Sequence, residues 1–454
     1  MRVLLIQAVS TQSCRELVFP LGLARLSAAI SGRHEVQGLD LNLSPFPWPD
    51  LTERLGRFKP QVIGISFRNL DPLASSLVSY VPQLKTLAAL VKECSPESVV
   101  IIGGPGFTLF STRLMREVPE AHLGFCGEAD TGFPLLIDHL ETPWEIPGTL
   151  WRRGGEILGG GRAAGCGSLM DELPYPDWNL FDPGRYQHRN EYVAFMGVET
   201  KRGCPNHCPY CLYPSLQGSS LRLRSPLRVV DELELLRRAF QIELVHFTDP
   251  VVNQPAGHLR AICKEILKRR LEINWTGFFR EDAISAEDLE LCREAGLVTC
   301  YFSGDGTSDW ALELLGKGFH QNEILRAARA AAGTGVITVY HFLVNLPGET
   351  RQSVEHARRL LDHLCEIHAG QGNLGAVVIN NLRLYPGAAL TEAILRDGLI
   401  DPGQDLLYPT YFNPPPWDSL RHELTTLCMK QSTSNFLVSR GSTGWAPKEK
   451  PRCT

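Results

Sequence analysis

No run of apolar residues in this 454-residue chain approaches a membrane span. Segments such as Val99 to Ile102 and Ala376 to Ile379 fall far short of the roughly 20 residues a bilayer requires. A basic excess is missing as well: 45 Lys plus Arg stand against 50 Asp plus Glu, a formal net charge of −5. Nucleic acid is therefore not an expected partner. The N-terminus moves straight into a strand-like pattern, Val3 to Ile6, without a cleavable signal profile, so a cytoplasmic protein is expected. Neither an internal repeat nor a low-complexity tract is visible. With 43% hydrophobic and 21% charged residues, composition also excludes disorder and coiled coils. What remains is a globular chain long enough for about three domains.

Cysteine is plentiful, but a disulfide framework is not implied. Thirteen is an odd count, and an unexported chain keeps its thiols reduced. Cys94, Cys126, Cys263, Cys292, Cys300 and Cys365 lie in apolar, periodic segments, as small buried hydrophobes do. Cys204, Cys208 and Cys211 differ, for they crowd into Arg-Gly-Cys-Pro-Asn-His-Cys-Pro-Tyr-Cys.

Residues 1–140 alternate strand-like runs at 3–6, 36–41, 62–65, 99–102 and 123–125 with helical stretches at 22–30, 50–58, 74–93, 111–118 and 133–140. Five of each predict a Rossmann-like, doubly wound parallel sheet whose ligand lies at the carboxyl ends of the strands. Residues 141–190, punctuated by glycine and proline, read as a linker with a small hairpin. From 191 to 386 six further strands, near 193–198, 244–248, 274–278, 299–303, 339–345 and 376–384, alternate with helices. They predict a partial (β/α)6 barrel with its active site at the carboxyl face. Residues 387–454 form a small C-terminal region, placed to cap a substrate.

The cysteine loop, spaced C-x3-C-x2-C, follows the first barrel strand. Three thiolates on one short loop can hold three corners of a 4Fe-4S cluster and leave one iron open. A zinc site completed by His207 is the structural alternative. It suits the mouth of a barrel less well, and the aromatic Tyr210 before the last cysteine is not needed for zinc.

Cys204, Cys208 and Cys211, with Tyr210, resemble the signature of the radical S-adenosylmethionine (radical SAM) superfamily. The first array resembles the cobalamin-binding domain of its cobalamin-dependent branch, through residues 19–24 (Phe-Pro-Leu-Gly-Leu-Ala), 59–66 (Lys-Pro-Gln-Val-Ile-Gly-Ile-Ser), 101–105 (Ile-Ile-Gly-Gly-Pro) and 126–130 (Cys-Gly-Glu-Ala-Asp). Residues 223–226, 247–250, 345–350 and 384–387 extend the likeness to about residue 390. Two departures stand out. The Asp-x-His-x-x-Gly motif that supplies a lower cobalt ligand is lacking, and Gly304-Asp305-Gly306 replaces the more usual Ile-Glu-Ser.

The resemblance implies three cofactors, a 4Fe-4S cluster, S-adenosyl-L-methionine and cobalamin. It also implies a C-methyltransferase that moves a methyl group through methylcobalamin to an unactivated carbon of a small-molecule or peptide substrate. Rearrangement, ring contraction and cyclisation occur on the same cofactors. A corrinoid or iron-sulfur carrier is the non-enzyme alternative. A methylthiotransferase would need further clustered cysteines, and Cys14, Cys94 and Cys126 are scattered. The expected electron donor is a flavodoxin or ferredoxin.

Cys204, Cys208 and Cys211 are the expected cluster ligands. Tyr210, Phe247, Asp249, Asp305 and Gly348 are expected near S-adenosylmethionine, Asp249 having a helix cap as its structural alternative. Ser66, Phe67, Arg68, Asn69, Gly103, Gly104, Gly127 and Glu128 are expected near cobalamin, with an Arg68–Asp71 ion pair as the alternative for Arg68. Tyr213 and Tyr385 are candidates for the cavity wall, and Cys428 and Cys453 are unassigned, a surface thiol being the default.

Overall fold

The computed structural model describes residues 1–10, 17–72, 76–163, 170–187 and 193–431. Cys14, Cys453, part of the loop from Gln7 to Pro20 and the tail beyond 431 lie outside them. Seven strands form the first sheet: β1 (Arg2–Gln7), β2 (Glu35–Asp40), β3 (Val62–Ser66), β4 (Val99–Gly103), β5 (Leu123–Phe125), β6 (Thr149–Arg153) and β7 (Glu156–Gly159). Their order is β2-β1-β3-β4-β5-β6-β7, with β1 to β5 parallel and the β6–β7 hairpin added antiparallel. This is a doubly wound sheet, and its order reverses between β1 and β3, where such sheets open a crevice for ligand.

The buried runs follow from composition: β1 reads Val-Leu-Leu-Ile and β4 Val-Val-Ile-Ile, apolar on both faces because helices cover both. One boundary differs from the sequence expectation. The helix foreseen from residue 74 begins at Val81, where Pro82 sits in its first turn and the Tyr80 N–H is bound to the Leu70 carbonyl at 2.8 Å. Proline favours a helix start there, and the tie to Leu70 holds the residues before it out of the helix.

A short antiparallel pair, β9 (Lys201–Arg202) and β10 (Arg222–Leu223), brackets the cysteine loop. The second large sheet runs β8 (Met196–Val198), β11 (Leu244–Phe247), β12 (Asn274–Phe279), β13 (Leu297–Asp305), β14 (Ile337–Val344) and β15 (Leu374–Arg383), all parallel. The strand β16 (Tyr411–Phe412) joins antiparallel to β15. Edges remain at β8 and β16, so the barrel is partial, as the six-strand count predicts. The C-terminal region covers one edge, because β16 pairs with β15 and the helix 420–431 packs on β15 and on the helix 351–369.

Residues 141–190 are more packed than their punctuation suggests. Trp178, Phe181 and Tyr186 are buried, Phe19 meets both Phe181 and Tyr186 edge-on, and the Tyr186 hydroxyl donates to Asp40 Oδ2 at 2.7 Å. One apolar cluster runs from β1, through these aromatics, into the barrel helices. The opposite face of the first sheet has its own core, and Leu407 from the C-terminal region enters it. Two cysteines depart from expectation. Cys94 is exposed at its helix end, and Cys428 is buried beside Cys365 because its helix faces the barrel.

Candidate active site

The cysteine loop leaves β9 at Gly203, whose φ is +88°. A Cβ there would stand 2.1 Å from the Ser220 carbonyl oxygen, so glycine lets the chain turn at that point. The loop is then fastened along its length. The Cys204 N–H donates to the Gly218 carbonyl at 3.1 Å, and the Cys211 N–H to the Cys208 carbonyl at 3.0 Å. Asn206 Nδ2 reaches Cys204 Sγ at 3.5 Å and Gln254 Oε1 at 3.0 Å. The Leu390 N–H donates to the Pro209 carbonyl at 2.9 Å.

Tyr210 points its hydroxyl at Asp305 Oδ2, 2.5 Å away, and Lys317 Nζ donates to the same oxygen at 2.8 Å and to the Ser303 carbonyl at 2.5 Å. Asp305 has φ of +59°, which the two donors hold in place. Arg280 donates to the Lys317 carbonyl at 2.5 Å and pairs with Asp282 at 2.9 Å. Burial alone would lower Lys317, but Asp305, Cys208 and Glu281 outweigh it and hold the ammonium above its ordinary pKa.

Burial pushes the Cys211 thiol up to about 12 and raises Cys208, although Lys317 and Arg280 pull Cys208 the other way. Cys211 feels both other cysteines of the loop, and Cys208 feels Cys204. Cys208 and Cys211 thus resist ionising alone, and with Cys204 on the same loop and cations nearby they fit a cationic cluster that would stabilise thiolates. Among the described residues no three His, Cys, Asp or Glu side chains converge as on a single metal ion. Three thiol donors on one short loop suit a cluster, where each cysteine takes a separate iron.

Asp249 is neither a helix cap nor open to a ligand. Its buried carboxylate accepts from the Thr200 N–H at 2.8 Å, Thr200 Oγ1 at 2.5 Å and the Lys201 N–H at 3.2 Å. It locks the strand that launches the cysteine loop. Phe247 is fully buried on the helix side of β11, its ring 4.8 Å from that of Trp275. Strand alternation turns its neighbour His246 to the inside of the barrel. Gly348, at φ +90°, turns under Trp310 after β14, and Asn345 in the same turn donates to Asn413 and Pro414.

In the first domain, Ser66, Phe67, Arg68 and Asn69 leave β3 at the switch point. Ser66 and Asn69 are half-buried, Phe67 buried and Arg68 exposed. Gly103 ends β4 and accepts from the Phe67 N–H at 2.8 Å. A Cβ at Gly104 would stand 2.8 Å from the Phe67 carbonyl oxygen, so this glycine admits the neighbouring loop. Gly127 likewise lies against Ala163. Glu128 faces arginines: Arg202 at 2.8 Å, and Arg222 as well.

Asp71 is held from the barrel. It is buried against Arg383 of β15, with Nε to Oδ2 at 3.0 Å. Arg383 in turn stacks over Tyr385, whose ring packs on the first domain's core. The charge of Arg68 acts on Tyr213 and on His246. The helix 105–109 touches the helix 213–217, and Phe110 shares an apolar cluster with Tyr210. The β3 loop and the cysteine loop thus flank one space above the barrel.

Sequence reasoning missed Lys317, Arg280, Arg202 and the Asp71–Arg383 pair. A lone charged residue carries no spacing signal, and most of these acquire their meaning from a partner far along the chain.

Comparison with known proteins agrees with this layout. Residues 198–361 match the radical SAM superfamily and residues 10–137 match the B12 binding domain. An uncharacterized methyltransferase of Pyrococcus horikoshii is 26% identical over 88% of this chain and 84% of its own length. The cytidylyl-2-hydroxyethylphosphonate methyltransferase of Streptomyces wedmorensis is 26% identical over 90% of this chain and 84% of its own. The radical S-adenosylmethionine methyltransferase TsrM of Kitasatospora setae, solved with cobalamin and a [4Fe-4S] cluster, superposes with a TM-score of 0.78. That match has 19% identity and covers 97% of this chain and 93% of TsrM.

Proposed function

Because the chain belongs to the cobalamin-dependent radical SAM proteins, we propose that it is a C-methyltransferase whose substrate lies between the β3 loop and the barrel. The observation that carries this is the meeting of the two domains at that point, where Asp71 after the β3 loop pairs with Arg383 of the barrel and the helix 105–109 touches the helix 213–217 beside the cysteine loop. When bound, S-adenosylmethionine and the cluster supply a hydrogen-abstracting radical, and cobalamin supplies the methyl group.

The chain's own residues divide the remaining work. Cys204, Cys208 and Cys211 hold the cluster, and Asp249 fixes their strand. Lys317 and Arg280 place positive charge beside Cys208, suited to an anionic group of a bound ligand. Tyr210 and Asp305 orient Lys317 by the hydrogen bonds already described. Ser66 to Asn69, with Gly103, would hold cobalamin, and Arg68 would lie beside it. Glu128 acts through Arg202, Asp130 and Arg222, which join the domains behind the loop. A reduced flavodoxin or ferredoxin supplies the electron, and the reducing cytoplasm suits thiols of this kind.

Anaerobic reconstitution tests the reading. The protein should take up about four irons, bind a corrinoid in its base-off form, and pass label from methyl-labelled S-adenosylmethionine to a carbon-bound product in cell extract. Corrinoid uptake without any labelled product would favour rearrangement chemistry instead.

A further inference from the structure

The C-terminal region does more than cover a sheet edge. Its segment 405–418 runs from the first domain to the carboxyl face of the barrel. At one end Asp405 pairs with Arg113 at 3.3 Å, and Leu407 enters the first domain's core. Midway, the carbonyls of Leu406 and Thr410 accept from Arg383, the barrel residue that holds Asp71. At the other end the segment meets the turn that follows β14, Asn345 to Thr350.

The corner of that turn follows from its sequence. Pro347 and Gly348 occupy the central positions, with Gly348 at φ +90° and the Glu349 N–H donating to the Leu346 carbonyl at 3.0 Å, as in a type II turn. Asn345 enters it at φ +56°, a left-handed conformation that asparagine adopts more readily than most residues. The C-terminal segment then holds both ends. Asn345 Nδ2 donates to Asn413 Oδ1 at 2.7 Å and to the Pro414 carbonyl at 2.9 Å, which occupies both amide hydrogens. Asn381 Nδ2 of β15 donates to the same Asn413 oxygen at 2.9 Å. Trp417 Nε1 donates to the Glu349 carbonyl at 3.1 Å. Asn345 and Asn381 are buried, whereas Asn413 reaches the surface. One surface side chain thus ties together the ends of two adjacent barrel strands.

The same turn borders the cysteine loop. Leu346 shares an apolar cluster with Tyr210, Trp310 and Phe412, and Gly348 passes against Trp310. A molecule bound at the open iron beside Tyr210 would therefore have this turn as a near wall.

We propose that Asn413, together with Trp417, is a positioning residue for S-adenosylmethionine, holding the turn 345–350 in the conformation that receives the cofactor beside the cysteine loop. Ordering a free turn costs conformational entropy at each binding event, and a turn fastened beforehand avoids that cost. The C-terminal region then acts on the cofactor, and a cap over the substrate is not its sole task. The inference rests on the radical SAM reading of the cysteine loop, since it names what fixes one wall of that site.

The test uses the anaerobically reconstituted full chain and, beside it, the same chain without cofactors. Asn413→Ala should weaken equilibrium binding of labelled S-adenosylmethionine about threefold to tenfold, the range of one hydrogen bond. Iron content should be unchanged, and in cofactor cleavage the effect should fall on KM and not on kcat. Asn413→Asp keeps the accepting oxygen and should bind as the unmodified protein does. Trp417→Phe, which keeps a ring and removes the N–H, should shift affinity in the same direction by a smaller factor. In the cofactor-free chain, hydrogen exchange across 345–350 should quicken in Asn413→Ala and not in Asn413→Asp. Unchanged affinity in both Asn413→Ala and Trp417→Phe, quickened exchange without loss of affinity, or equal losses in the Ala and Asp variants would each overturn the inference. Label transfer to a carbon-bound product is scored separately. Unchanged affinity therefore leaves the methyltransferase reading standing, and absent transfer leaves the binding result intact.

Discussion

The cysteine loop after β9 is fastened mostly from within the barrel, although Leu390 belongs to the C-terminal region and Arg202 at its root pairs with Glu128 and Asp130 of the first domain. Thr200 and Lys201 are gripped by Asp249, Tyr210 by Asp305, Asn206 by Gln254, and Pro209 by Leu390. The loop after β3 is held differently. Its backbone leans on Gly104 and Gly106, but its buried carboxylate, Asp71, is paired across the domain boundary with Arg383. One loop carries most of its geometry with it, and the other acquires part of its geometry when the domains meet. The first arrangement suits a cluster that must not move. The second ties the β3 loop to the barrel strand β15.

The largest effect should come from the loop's own ligands. Cys208→Ala should abolish the cluster and all cleavage of S-adenosylmethionine, while corrinoid binding, which rests on the other loop, persists. Iron content and the corrinoid spectrum of one sample check both halves. A variant that keeps its cluster would refute the cysteine assignment.

Next comes the cross-domain tie. Removing one partner of a buried ion pair costs about 3–5 kcal/mol, so Asp71→Asn should lower the melting temperature clearly and weaken corrinoid binding without changing the iron content. The double variant Asp71→Leu with Arg383→Met should regain stability, since an apolar pair can replace a buried ion pair. If it also regains full corrinoid affinity, the pair serves stability and not the placement of the loop.

A pH effect separates the regions further. Glu281, fully buried after β12, has no hydrogen-bond partner on either carboxyl oxygen among the described residues, and burial pushes its pKa up to about 8. Between its ordinary value near 4.5 and about 8 the unfolded chain releases this proton while the folded chain keeps it. Stability therefore falls as pH rises through that window and is flat on either side of it, a difference of a few kcal/mol. Glu281→Gln should flatten this contribution in denaturant melts run from pH 5 to 9. An unchanged slope would show that Glu281 ionises as freely folded as unfolded.

How much of this was legible beforehand follows the range of the forces involved. The strands were readable because burial on two faces demands continuous apolar runs, and the cysteine loop because a cluster needs its donors on one short segment. Phe247 shows the limit of that reading. The strand end was right, but only the packed barrel shows that the phenylalanine faces the helices and His246 the lumen. Asp249 and Glu128 were sensed as unusual carboxylates, yet their partners, Thr200 and Arg202, become neighbours only after folding. The buried aromatics between 170 and 187 were hidden by the prolines around them, since punctuation reports turns and says nothing of what packs beneath.

The smallest expected effect is the sharpest test of the contrast between the loops. Tyr210→Phe removes a single hydroxyl that donates to Asp305, a bond worth about 1.5–3 kcal/mol to a charged acceptor. Lys317 still donates to the same oxygen at 2.8 Å, and the backbone ties of Cys204, Cys211 and Pro209 are untouched, so the loss should fall toward the lower figure. Iron content should stay at about four per chain, with a small drop in melting temperature and a modest rise in the KM for S-adenosylmethionine. A cluster locked from many sides tolerates the loss of one lock. Loss of iron on a par with Cys208→Ala would instead make Tyr210 the main restraint on the loop, and the distinction between a self-fastened loop and one fastened by its neighbour would not hold.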